Sequence, residues 1–288
     1  MTFDEFVQSA WQDHADRPQD VADRLAKSVA IVEQPDQVPP FARLATHVYG
    51  EHLGQWDRGV AILESLRSPR ADGHAAATDA IVSGIAALRF AGGDGDLLRT
   101  LPPESQVQVL ATASSALAGR GEFGRAIASY ADALRIALPD LPPKGPASRA
   151  LAVGGNNLAV ALEAKTDRDD RETQGMLAAA EGALKYWKLA GTWLEEERAE
   201  YRLSRSRLQA GDGAGAIECA RRCIAVCSAN AAPAFEQFFA HAALALALRA
   251  ARDVDGAAAA RTQALRHYDG VAPDEKQYCA ADLAELGA

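Results

Sequence analysis

Arg198, Arg202 and Arg205 are spaced four and three residues apart, so a helix that carries them puts all three guanidinium groups on one face. Each guanidinium is a planar fork of donors that matches a carboxylate. Tyr201 stands beside them, either as groove lining or as ordinary packing. Upstream, Asn156 and Asn157 lie together in another segment of helical character. An Asn amide can bond both the N–H and the C=O of an extended peptide. Together the six residues offer the chemistry of a groove that grips a peptide backbone or an acidic terminus. The other reading is a solvated helix face in which the arginines pair with Glu195, Glu196, Glu197 and Glu200.

The remaining reactive residue types form no such set. Cys219, Cys223 and Cys227 are four apart and line one stripe of a helix. Neighbours along a stripe are badly placed for disulfides, and the short Cys-x-x-Cys turn of structural zinc sites is absent, so buried, free thiols are expected. His14, His74, His241 and His267 are scattered, and His47 and His52, five apart, are not expected to share a helical face. Gly92-Gly-Asp-Gly95 and Gly211-Asp-Gly213 read as helix-ending turns. No Gly-x-Ser-x-Gly, phosphate-cradling loop or dinucleotide fingerprint occurs. The expectation is no enzyme, no cofactor and no metal.

These residues must be positioned by helices. The chain has 288 residues, 48% hydrophobic but only 6% aromatic, so its core is built from Ala, Leu and other aliphatics that favour closely packed helices. Strand-like alternation is hard to find, and the fold class expected is all-α. A net charge of −9, with a pI of about 5.2, argues against nucleic acid as a direct partner. Acidic residues in Met1-Thr-Phe-Asp-Glu-Phe stand where a secretory signal carries base, and no run reaches the roughly 18 to 20 apolar residues of a membrane span. A cytoplasmic location, without a membrane partner, is expected.

Helices are read over 2–16 and 20–33, with a start at Asp16/Pro18, then a break at Pro35 and Pro39-Pro40. Others follow over 41–52, 60–66 after a turn at 54–59, and 75–90. After Leu101-Pro-Pro103 the pattern becomes regular, pairing 104–119 with 122–138, 146–165 with 172–190, 192–210 with 213–229, and 232–251 with 255–268. A last helix over 274–286 is expected to cap the open end of the stack. Leu138–Pro146 reads as a rigid connector. Tyr186, Trp187 and Trp193, and also Phe235, Phe238 and Phe239, read as packing between units or as an apolar anchor pocket.

The regular part repeats itself. The unit Leu110…Leu117, Gly121-Glu-Phe123, Ala126-Ile127…Tyr130…Ala133-Leu134 returns as Leu203…Gly211-Asp212-Gly213…Ala216-Ile217…Cys223-Ile224. It returns again as Leu244…Leu248…Asp253-Val254…Ala257…Ala264-Leu265. Trp56 stands in the worn copy where Phe123 stands in the clear one. Such units bury one another's apolar faces, which gives a solenoid.

The Gly-x-Phe turn, close-packing Ala126, Tyr130 and Ala133 resemble the second half of a tetratricopeptide repeat (TPR). Residues 101–288 carry the resemblance well and 1–100 poorly. Ala126, Ala216 and Ala257 recur at more than the family period of about 34 residues, which implies longer helices and an insertion at Thr166–Arg171. Such helices resemble the variant arrays of bacterial peptide-sensing regulators. The resemblance implies a single continuous array, a right-handed α-α superhelix of antiparallel helix pairs, whose first helices line the concave face. Asn157, Arg198 and Arg202 then fall in slots like those where carboxylate-clamp co-chaperones place Asn and basic residues. The function implied is a non-enzymatic scaffold that captures a protein or peptide segment. Alternatives are a peptide-sensing module, or an assembly protein that self-associates through residues 1–100, with a homodimer as candidate.

Overall fold

A computed structural model describes residues 1–67, 73–137 and 141–287, and among these every regular element is helical. The chain forms two compact units, residues 1–141 and 142–288. No helix among the described residues is long and apolar enough to cross a membrane.

In the first unit, α1 (Phe3–Asp13) opens with a capping box in which Thr2 and Glu5 satisfy each other's backbone amides. Pro18 opens α2 (Pro18–Lys27), where its missing amide costs nothing. Pro39 and Pro40 do not break the chain as expected. They fall in the first turn of α3 (Val38–His47), where no intrahelical partner needs their amides. The helix then continues through a π-helical turn over Val48–His52 rather than as α-helix. α4 (Trp56–Ser65) begins inside the stretch expected to be a turn. It is followed by α5 (Ala75–Ala91), a short α6 (Asp96–Thr100) that the sequence pattern does not suggest, α7 (Pro103–Gly119) and α8 (Phe123–Ile136). Phe6, Leu25, Phe41, Leu44, Tyr49, Leu63 and Leu88 are fully buried in one core joining α1 to α5.

The π turn is pressed against α7. A Cβ on Gly119 would come within 2.5 Å of Glu51 Cγ and 2.7 Å of the Glu51 carbonyl oxygen, so only glycine allows this approach. Ser115 Oγ donates to Glu51 Oε2 at 2.6 Å, and Arg120 Nη1 donates to the His52 carbonyl at 2.7 Å.

The second unit holds α9 (Pro146–Glu163), α10 (Asp170–Ala190), α11 (Trp193–Gln209), α12 (Gly213–Ala229), α13 (Ala234–Ala250), α14 (Val254–Asp269) and α15 (Ala280–Leu286). These bounds match the expected pairs to within a few residues, apart from the last helix. Its expected start, 274–279, contains a turn of 3-10 helix over Lys276–Cys279. Of the expected connector 138–146, residues 138–140 lie outside the described residues. Successive helices pack as hairpins, and the first helices α9, α11 and α13 also touch in a row.

The repeat seen in the sequence is a repeat of hydrogen bonds. Ser114 Oγ donates to the Ala126 carbonyl, and Ser204 Oγ to the Ala216 carbonyl, both at 2.9 Å. Each bond ties the first helix of a pair to its close-packing alanine on the second. Asp212 caps α12 through the Gly215 amide, as Asp253 caps α14 through the Gly256 amide.

Candidate functional site

The face of α11 begins with its N-terminal cap. Thr192 and Glu195 form a capping box that fixes where the helix starts, and therefore where Arg198, Tyr201, Arg202 and Arg205 point. The four residues share that face as their spacing demands. Their partners are not the neighbouring glutamates of α11. Arg198 bonds Glu236 at the start of α13, with Nη2 to Oε1 at 2.6 Å. Arg202 pairs with Glu163 at the end of α9, which also accepts from Ser206 Oγ at 2.5 Å. Arg205 bonds Glu285 of α15 at 2.5 Å, and the Tyr201 hydroxyl donates to Asp282 Oδ1 of α15 at 2.7 Å.

These contacts join α11 to three other helices. The arginine side chains range from 56% exposed at Arg198 through 23% at Arg202 to 12% at Arg205. Burial pushes the Tyr201 phenol above its ordinary range, and the Asp282 carboxylate adds to the shift. Burial likewise raises the Asp282 carboxyl, partly offset by the Tyr201 hydrogen bond. The Arg202 guanidinium lies over the Tyr201 ring, 5.7 Å from its centroid, and that ring meets Phe239 edge-on at 5.5 Å. Arg202 Nε and Arg205 Nη1 are buried donors with no acceptor.

Glu200 is taken by other cations: Arg222 Nε donates to both its oxygens at 3.0 Å, and Lys188 Nζ lies 3.4 Å away. Glu197 is 1% exposed and receives the Cys223 thiol at 3.0 Å. Burial is the main cause that pushes its carboxyl up to about 8, and the charge of Glu236 works in the same direction. Glu197 Oε2 receives no donor although it is buried. A retained proton spares the fold an uncompensated buried charge at this carboxyl.

Asn156 and Asn157 stand on α9, half-buried, with Asn156 Nδ2 bonded to Asn157 Oδ1 at 3.2 Å. Asn156 precedes Glu163 by two helical turns and so shares the side of α9 that meets Arg202. The residues that sequence reasoning missed are the acids Glu163, Glu236, Asp282 and Glu285. They come from distant segments, and no local spacing relates them to α11. Cys219, Cys223, Cys227 and Cys279 are free and buried, as expected of core thiols. Phe235 and Phe238 pack edge-on or tilted against Phe239 and Tyr268 within the core around α13.

No family model and no curated protein matches this sequence. Solved structures do match in fold. A Podosopora anserina putative kinesin light chain with nearly identical TPR-like repeats superposes with a TM-score of 0.50 at 16% identity, covering 82% of this chain and 96% of that one. A point-substituted form of the same repeats gives the same values. The fold of this chain is thus all-α and TPR-like.

Proposed function

We propose that this protein is a non-enzymatic scaffold whose first-helix row α9, α11 and α13 captures an acidic segment of a partner protein. Arg198, Tyr201, Arg202 and Arg205 would contact the acidic groups, and Asn156 and Asn157 the peptide backbone. The observation that carries this reading is the seating of α15, whose Asp282 and Glu285 meet Tyr201 and Arg205. An acidic helix from elsewhere in the chain thereby occupies part of the face and uses the side chains proposed for the partner. The TPR-like fold supports the same reading, because stacked helix pairs expose extended binding surfaces.

The test is selection from a random peptide library displayed against the full chain. Enriched peptides should be acidic. The double variant Arg198→Gln/Arg202→Gln should bind them at least about tenfold more weakly, since each charge-assisted bond contributes roughly 1.5–3 kcal/mol. Gln is preferred to Glu because a glutamate at 202 would sit against the nearly buried Glu163. Equal binding by a variant with an unchanged circular dichroism spectrum would reject the reading.

A further inference from the structure

The first unit brings three histidines together from separate segments. His14 is the C-cap of α1, His47 ends α3, and His52 ends the π turn. Their ring centroids are 4.8 to 5.1 Å apart, and one nitrogen from each lies within 4.8 Å of the other two. In an α-helix, residues five apart point away from each other. The π turn removes that obstacle, because its i→i+5 repeat returns His52 to the side of His47. Their Nε2 atoms are 3.1 Å apart.

Two of the rings are already oriented by their other nitrogen. His14 Nδ1 lies 2.5 Å from the Trp11 carbonyl oxygen, so it holds the proton and leaves the Nε2 lone pair free. His47 Nδ1 lies 3.1 Å from Glu51 Oε2, whose position is fixed by the Ser115 hydroxyl at 2.6 Å. A histidine with one nitrogen on a carboxylate or carbonyl and the other turned to a shared point is the usual arrangement around a metal ion. Tetrahedral coordination at 2.0–2.1 Å separates two ligand nitrogens by about 3.3 Å, close to the observed His47–His52 separation. The third nitrogen needs an inward movement of up to about 1.5 Å to complete the triangle. All three rings are half-buried, and the His47 side chain keeps 19% exposure, which leaves a path for an ion.

We propose that His14, His47 and His52 form a binding site for one divalent transition-metal cation of the kind that favours imidazole, represented by Zn²⁺. Three neutral nitrogens supply the ligands, and a water completes the tetrahedron. The ion clamps the end of α1 to the junction of α3 and the π turn. Glu51 is a positioning residue: it acts through His47 and does not touch the metal.

The experiment is titration of the metal-free full chain with Zn²⁺ in competition with a chromophoric chelator, repeated with Co²⁺ as a spectroscopic probe. Wild type is expected to take up one equivalent of Zn²⁺, and its Co²⁺ form to absorb in the visible as a four-coordinate site does. His52→Ala and His14→Gln should each lose more than about 100-fold in affinity, and Glu51→Gln roughly 10- to 100-fold. His267→Gln, in the other unit, should bind as wild type does. Should His52→Ala fail to fold, the comparison rests on His14→Gln, whose ring ends a helix at the surface of the unit. Zn²⁺ uptake equal in wild type and His14→Gln, or no saturable uptake by wild type, overturns the proposal and leaves His47 and His52 sharing a proton only.

Discussion

Glu197 shows how much a single protonation state can matter to this fold. Its carboxyl is buried beside Glu236 and the Cys223 thiol, and its pKa rises from 4.5 to about 8. The native state therefore binds this proton more tightly than the unfolded chain does. Its contribution to stability is largest below pH 4.5 and declines as pH rises through about 8. Denaturant unfolding at a series of pH values should show stability falling across that interval in wild type and falling less steeply in Glu197→Gln, which keeps a neutral donor beside Glu236. Parallel curves would place the proton elsewhere. Glu163 is held instead by two donors, Arg202 and Ser206. Glu163→Ala strands a largely buried guanidinium and should destabilise the protein by about 3 kcal/mol, measured by chemical denaturation.

At the scale of the element, the hairpins share one design with local deviations. Gly121, Gly211 and Arg252 each precede the close-packing alanine by five residues, and all three have positive φ, 74°, 81° and 64°. Only the first two are glycine. Arg252 is exposed and carries the left-handed penalty of roughly 1–2 kcal/mol, of which a glycine would recover all but its own chain entropy. Arg252→Gly should accordingly stabilise the protein by about 1 kcal/mol or less, read as a higher Tm. Ser114→Ala and Ser204→Ala should each cost about 1 kcal/mol, because each removes a buried hydroxyl bond between paired helices. This repeating geometry is why helices α7 to α14 are legible in the sequence: small residues, turn glycines and close-packing alanines return in a fixed order. Pro39 and Pro40 mislead because proline breaks a helix in its interior but opens one in its first turn. The π turn leaves no local signal in the sequence pattern; it lies where α7 packs against Glu51, a contact between residues far apart in the chain. The arginine face is legible from spacing alone. Its acidic partners are not, because their proximity is created only when α9, α13 and α15 close around α11.

At the scale of the molecule, the second unit ends by folding its own acidic helix onto the face proposed for a partner. α15 is held by more than Asp282 and Glu285. Arg249 Nη1 donates to the Glu285 carbonyl and Arg261 Nε to the Leu286 carbonyl, while Leu286 and Cys279 are buried in the core around α13. Beyond the capping expected of a last helix, α15 contacts α13 and reaches α11 through its acids. Asp282→Asn/Glu285→Gln weakens only the acidic part of that contact, so acidic peptides should bind the variant several-fold more tightly than wild type in fluorescence anisotropy. Unchanged affinity would mean that α15 and the peptides do not compete.

The π turn has a consequence for heredity. Compared with an α-helix, such a turn holds one extra residue, and here that turn includes Gly50, buried with Leu88 and Ala116 close around it. Loss of one codon within Val48–Glu51 would restore a four-residue spacing, yet it would also pull Glu51 or its neighbours out of register with Ser115 and Gly119. Such a deletion leaves the two histidines on one face of an ordinary helix while it breaks the contacts that seat Glu51 against α7, so a single in-frame event in the gene parts the pair from its support and does not abolish the pair.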